Sequence, residues 1–137
     1  MVCILVFMRS LTKNRERYAS WLDEGNRGEF IEGKIVKHGP VSWAYNRVYC
    51  NLLVLISSFV HHFKCGELVG GSTIVRLTKN DYQPDLHFYK NEKAVGFFNE
   101  MEFFPSPDFI IEILSPDTAK YDKGIKLKDY AAHGILT

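Results

Sequence analysis

The chain has almost no net charge, since 17 Lys and Arg against 16 Asp and Glu leave +1 at pH 7. A nucleic-acid partner would therefore have to meet a local basic patch, not a basic protein. Cysteine is sparse as well. Cys3, Cys50 and Cys65 are odd in number and lack metal-ligand spacing, which argues against a disulfide framework or a zinc site and fits a cytoplasmic protein. Cys50 stands in an apolar stretch and reads as a small core hydrophobe. Long hydrophobic runs are missing too. The longest, Val48 to Val60, has 13 residues, against the roughly 20 of a membrane helix, so no membrane role is expected. Met1 to Phe7 are apolar but follow no basic region and are short for a signal peptide, and Met8 is a second candidate start. Without repeats, low-complexity tracts or linkers, residues 1–137 read as one domain.

What is present is ordinary globular composition, with 46% apolar and 24% charged residues. Residues 10–24 are polar with sparse apolar anchors and suggest a short, largely exposed helix. Glu29 to Val36 read as a hairpin turning at Gly33, and His38-Gly39-Pro40 then breaks the chain. From Ser42 to Phe63 apolar residues recur at three- and four-residue steps, the pattern of a helix buried over much of its surface. Gly66 to Leu77 reads as one strand with a bulge at Gly70-Gly71. Gln83 to Tyr89 and Phe109 to Leu114 are further strands, joined by a long connection over 91–107. Asp122 to His133 closes the chain as a helix, with Asp122 as N-cap and Gly134 ending it.

The run Pro107 to Pro116 carries the functional signal. Its strand-like core, Phe109 to Leu114, is interrupted by Glu112, and a buried carboxylate is costly unless it is paired or coordinates a cation. Asp108 shares a strand face with Glu112 but lies roughly 13 Å away, too far to bind the same ion. A partner has to come from a neighbouring strand, and Asp85, after Pro84, is the candidate. Two carboxylates on adjacent strands make a hard oxygen site suited to Mg²⁺ or Mn²⁺. Such an ion acidifies a water and neutralises charge on a scissile phosphate. The alternative is a structural Glu112 paired with an arginine such as Arg76, beside an Asp85 that only opens its strand. His61-His62 read as a helix C-terminus rather than a metal site.

Pro84-Asp85, then 26 residues, then Glu112-Ile113-Leu114 resembles the Pro-Asp…Glu-X-Lys signature of the PD-(D/E)XK nuclease superfamily. With Glu29-Phe30-Ile31-Glu32-Gly33, Pro107 to Pro116, Asp122, Lys126, Tyr130 and Gly134, the chain is similar to the bacterial Uma-type restriction endonuclease family from about residue 18 to 135. The resemblance implies an α/β (α+β) fold. Its restriction-endonuclease-like core would have a mixed central β-sheet flanked by helices, preceded by an N-terminal β-hairpin. It also implies DNA as partner, Asp85 and Glu112 as ligands of Mg²⁺ or Mn²⁺, and Glu29 as a supporting carboxylate. Leu114 stands where the superfamily has lysine, and the resemblance moves that role to Lys126. With Leu127, Tyr130 and Ala131 as the sheet-facing stripe, Lys126 falls on its edge and Lys123 nearer its centre, so Lys123 stays a substitute.

Tyr45 occupies the position of a family histidine, and the family continues past Gly134 into an aromatic-rich strand. The expectation is thus a metal-dependent DNA endonuclease, set against a truncated, inactive member that binds nucleic acid or protein. An unpaired sheet edge would favour association, as in a homodimer.

Overall fold

The computed structural model describes the backbone of residues 2–115 and 122–137 and the side chains of residues 10–115 and 123–137. Pro116, and the side chain expected to cap the last helix at Asp122, lie outside them. The chain opens with helix α1 (Val2–Asp23), longer and better anchored than the exposed helix expected over 10–24. Its sparse apolar residues, Leu11, Tyr18, Trp21 and Leu22, lie on one stripe and pack with Phe30, Ile35, Ile74 and Phe103. Tyr18 is wholly buried, and its hydroxyl donates to the Gly28 carbonyl at 2.7 Å.

Strands β1 (Gly28–Ile31) and β2 (Lys34–Lys37) form the expected hairpin. Its two turn residues, Glu32 and Gly33, both have positive φ, 48° and 80°, as a tight turn matched to strand twist requires. Gly28 is required for space, since a Cβ there would fall 2.4 Å from the Val36 carbonyl oxygen and 3.0 Å from the Trp21 ring. Gly28→Ala is expected to cost about 1–3 kcal/mol through this overpacking, read as a lower denaturant midpoint.

Helix α2 (Trp43–Phe63) starts at Ser42, whose hydroxyl accepts from the Tyr45 amide at 3.2 Å. Beyond it come β3 (Gly66–Gly70), β4 (Ile74–Arg76), β5 (Asp81–Tyr82), β6 (Leu86–Lys90), the short helix α3 (Asn91–Ala94), β7 (Phe103–Phe104) and β8 (Phe109–Ile111). A π-helical turn (Asp122–Lys126) leads into α4 (Leu127–Ala132), after which Gly134 adopts φ 68°. Leu136 then bridges in parallel to Phe109.

These strands build a mixed α/β fold with helices against the sheets. One sheet has the order β2-β1-β5-β4-β7, antiparallel except for the parallel β4–β7 pair, and the other is the antiparallel set β3-β6-β8. The single strand expected over Gly66 to Leu77 is therefore two strands in different sheets. The chain turns between them at Gly71, whose φ is 79°. The strand expected over Phe109 to Leu114 ends its regular pairing at Ile111.

The core holds Ile31, Val75, Leu77, Tyr82, Ile110, Tyr130 and Ile135. Asp81 is fully buried and held by Arg15 at 2.9 Å and by two hydrogen bonds from Arg76 at 3.1 and 3.0 Å. His87, also buried, contacts Thr73 Oγ1 at 2.8 Å and the Tyr89 hydroxyl at 3.0 Å, and burial pulls its pKa down to about 4. Helix α2 departs most from expectation. Of its residues only Val60 is buried, while Trp43, Val48, Val54, Leu55, Phe59 and Phe63 are exposed and Cys50 is at the surface rather than in a core. The periodic stripe is real, but among the described residues it meets the fold along a narrow line that includes β3.

Candidate active site

The antiparallel pairing of β6 with β8 places Leu86 opposite Ile111, so one step further Asp85 stands opposite Glu112. This is the cross-strand relation the two carboxylates need to serve one ion. Both line a cavity of about 520 Å³ with Glu29, His38, Tyr45 and Lys126. The Ile113 amide donates to Asp85 Oδ2 at 2.5 Å, and the Tyr45 hydroxyl donates to the other carboxylate oxygen. Tyr45, in the first turn of α2, thus reaches across the cavity to the carboxylate itself.

Glu112 Oε1 accepts from the Tyr130 hydroxyl at 2.7 Å and from Lys126 Nζ at 3.3 Å. Arg76, its alternative structural partner, is committed elsewhere. It binds Asp81 and lies 3.7 Å over the Phe103 ring. Lys126 Nζ is also 2.9 Å from Glu29 Oε1, so one ammonium, only 3% exposed, links two carboxylates.

Glu29, 2% exposed, sits on β1. Its Oε1 accepts from the Gln83 amide at 2.8 Å, and its Oε2 faces His38 Nε2 at 3.4 Å. Burial alone would raise its pKa, but the His38 contact and the Lys126 charge outweigh burial and leave it below the usual carboxylate range. Glu29 is therefore a buried anion met by the Lys126 ammonium, the His38 imidazole and the Gln83 amide. Burial, followed by the Glu112 charge, pushes the Tyr130 phenol well above its ordinary value, keeping it a hydrogen-bond donor to Glu112.

Two positions on the last helical segment differ from expectation. Lys123 is exposed, whereas Lys126 is buried between Glu29 and Glu112. Leu127 and Ala131 are exposed as well, and the buried pair is Lys126 and Tyr130. The π turn over Asp122–Lys126 changes the spacing there, so Lys123 and Lys126 are not related as in a uniform α-helix. Asp108 stays apart from the cavity. It caps the Lys90 amide at 2.9 Å and pairs with Lys93 at 3.1 Å.

The donor set fits a magnesium-type ion. Among the described residues, no three His, Cys, Asp or Glu side chains converge into a ready-made cage. Mg²⁺ does not need one, because it keeps several waters and takes one or two carboxylates plus substrate phosphate oxygens. Asp85 and Glu112, which both line the cavity, are the residues that could hold it.

The family model described as "Uma2: Putative restriction endonuclease" matches residues 15–137. The chain belongs to the Uma2 family. An uncharacterized protein of Synechocystis sp. (strain ATCC 27184 / PCC 6803 / Kazusa), slr1290, is 25% identical over 126 residues, covering 88% of this chain and 63% of that one. The crystal structure of a protein from Anabaena variabilis ATCC 29413, described as "a putative nuclease belonging to DUF820", superposes with a TM-score of 0.68 at 21% identity. It covers 78% of this chain and 61% of that one, and it shows a shared fold. This Uma2 chain thus spans about three fifths of the length of these two relatives. No helix among its described residues is long and apolar enough to cross a membrane.

In this Uma2 member the residue that sequence reasoning missed is His38. It follows a strand and precedes a Gly-Pro break, so nothing local marks it. The available signal was register, because Glu29 pairs with Val36 and His38 lies two residues further along the same strand face.

Proposed function

We propose that the chain is a metal-dependent endonuclease that hydrolyses DNA phosphodiester bonds, working in the cytoplasm, with two copies paired. The observation carrying this reading is the convergence of Asp85, Glu112 and a buried Lys126 on one cavity. Membership of a family described as restriction endonucleases supports it.

A bound Mg²⁺ or Mn²⁺ would supply phosphate charge neutralisation and a more acidic water. Asp85 and Glu112 are the residues proposed to hold it. Lys126, restrained by Glu29 and Glu112, presents a fixed positive charge where negative charge grows on the phosphoryl oxygens. Tyr45 and the Ile113 amide fix the orientation of the Asp85 carboxylate, and Tyr130 that of Glu112.

The test is nicking of supercoiled plasmid by purified protein with Mg²⁺ or Mn²⁺. Conversion to the open circle, abolished by EDTA and restored by excess metal, is the expected result. A folded protein that leaves the plasmid intact with either ion would refute the reading in favour of a binding-only role.

A further inference from the structure

Glu29 is bracketed by Lys126 and His38, and Lys126 accounts for only one of its oxygens. The other faces His38, whose position follows from the hairpin. Glu29 on β1 pairs with Val36 on β2, and the ladder continues as the His38 amide donates to the Arg27 carbonyl at 2.9 Å. Val36 and His38 share a strand face, which puts the imidazole diagonally across from Glu29, a spacing long side chains bridge. Arg27, Glu29, Val36 and His38 all line the cavity that also holds Asp85 and Glu112. The imidazole is 22% exposed while its carboxylate is 2% exposed, so the ring is reachable and its anchor is not.

The chemistry of this pair is directional. A buried anion opposite Nε2 favours hydrogen on that nitrogen and leaves Nδ1 as the ring's acceptor. The same anion stabilises the imidazolium once a proton arrives. Arg27, Lys37 and Lys126, the cations lining the same cavity, oppose that step, and Glu29, Asp85 and Glu112 favour it. A carboxylate that fixes the tautomer and orientation of a histidine opening onto a pocket is the arrangement general-base catalysis uses.

We propose that His38, oriented by Glu29, is a catalytic residue that accepts the proton of the attacking water. As the water oxygen bonds to phosphorus, its proton passes to His38 Nδ1 and the phosphorus bond to the leaving alkoxide breaks. The alkoxide takes a proton from solvent, and His38 later returns its own to solvent. The products are a phosphomonoester and an alcohol. This inference rests on the nuclease reading above.

The experiment is the pH–rate profile of plasmid nicking for wild type, His38→Gln and His38→Ala, with DNA binding measured in parallel. Gln keeps an amide donor for Glu29 but cannot take a proton. Both variants are expected to keep KM within about threefold and to lose about 10²–10⁴-fold in kcat. Both should also lose the acidic limb expected of the wild-type pH–rate profile. Added imidazole is expected to restore at least tenfold of the His38→Ala rate and none of the His38→Gln rate. In the metal-free protein, whatever its activity, ring nitrogen shifts should place the hydrogen of neutral His38 on Nε2. Unchanged kcat, a loss confined to KM, a retained pH limb, absent imidazole rescue, or a hydrogen on Nδ1 would each overturn the proposal. An inert wild type would overturn the nuclease reading and this role with it, and that outcome is distinct because it is seen before any substitution.

Discussion

Asp85→Asn and Glu112→Gln are each expected to lower metal-dependent nicking at least 10²-fold while leaving the protein folded. The substitutions keep shape and hydrogen bonding. The amide introduced by Asp85→Asn can still accept from the Ile113 backbone N–H through its oxygen while its NH2 donates to a rotated Tyr45 hydroxyl, and the oxygen of the one introduced by Glu112→Gln can accept from Tyr130 and Lys126. What they remove is one negative charge from a two-carboxylate site, the feature a hard divalent ion requires. The expected signature is therefore lost activity with thermal midpoints close to wild type. Activity within threefold of wild type in both variants would remove these residues from the mechanism. A collapse of stability in both would instead mark them as structural.

Lys126→Met is expected to cost both stability and activity. Methionine fills similar volume but leaves the buried Glu29 carboxylate and the partly buried Glu112 carboxylate without their shared ammonium. Removing one partner of such a buried pair costs on the order of 3–5 kcal/mol. Under the proposed mechanism the same change also removes a fixed charge that stabilises the phosphoryl transition state, worth about 10²-fold or more. A double-mutant cycle separates the two effects. Adding Glu29→Gln to Lys126→Met removes one stranded charge and should recover part of the lost stability, with no recovery of nicking. Chemical denaturation of the four proteins reads the first effect and plasmid conversion the second. Full activity in folded Lys126→Met would leave that lysine a purely structural counter-ion.

The sequence carried the cross-strand logic of this site well. The strand-like runs around Asp85 and Glu112 and the spacing of one strand from the next were enough to require a partner for Glu112. The hairpin was equally readable, because Glu32-Gly33 between alternating residues encodes a tight turn. Lys126 came mostly from resemblance, with helical geometry placing it only at the edge of the facing stripe. Uniform helical geometry put Lys123 nearer the stripe centre, and the π turn over Asp122–Lys126 leaves no mark in apolar periodicity. Periodicity likewise described the apolar stripe of α2 without saying what covers it, so Cys50 and Phe59 read as core when they are exposed. The split of Gly66 to Leu77 into two sheets turns on one positive-φ glycine, which read equally well as a bulge. The role of His38 depends on which strand face it shares, a matter of register rather than composition.

Calorimetric titration of the metal-free protein with Mn²⁺, repeated on Asp85→Asn, tests the account most directly, because it needs neither the right DNA nor a fast enzyme. The account predicts saturable binding of a divalent ion by wild type, with affinity reduced at least tenfold in Asp85→Asn and Mg²⁺ competing for the same site. Absence of binding, or equal affinity in wild type and variant, would contradict a metal centre at Asp85 and Glu112.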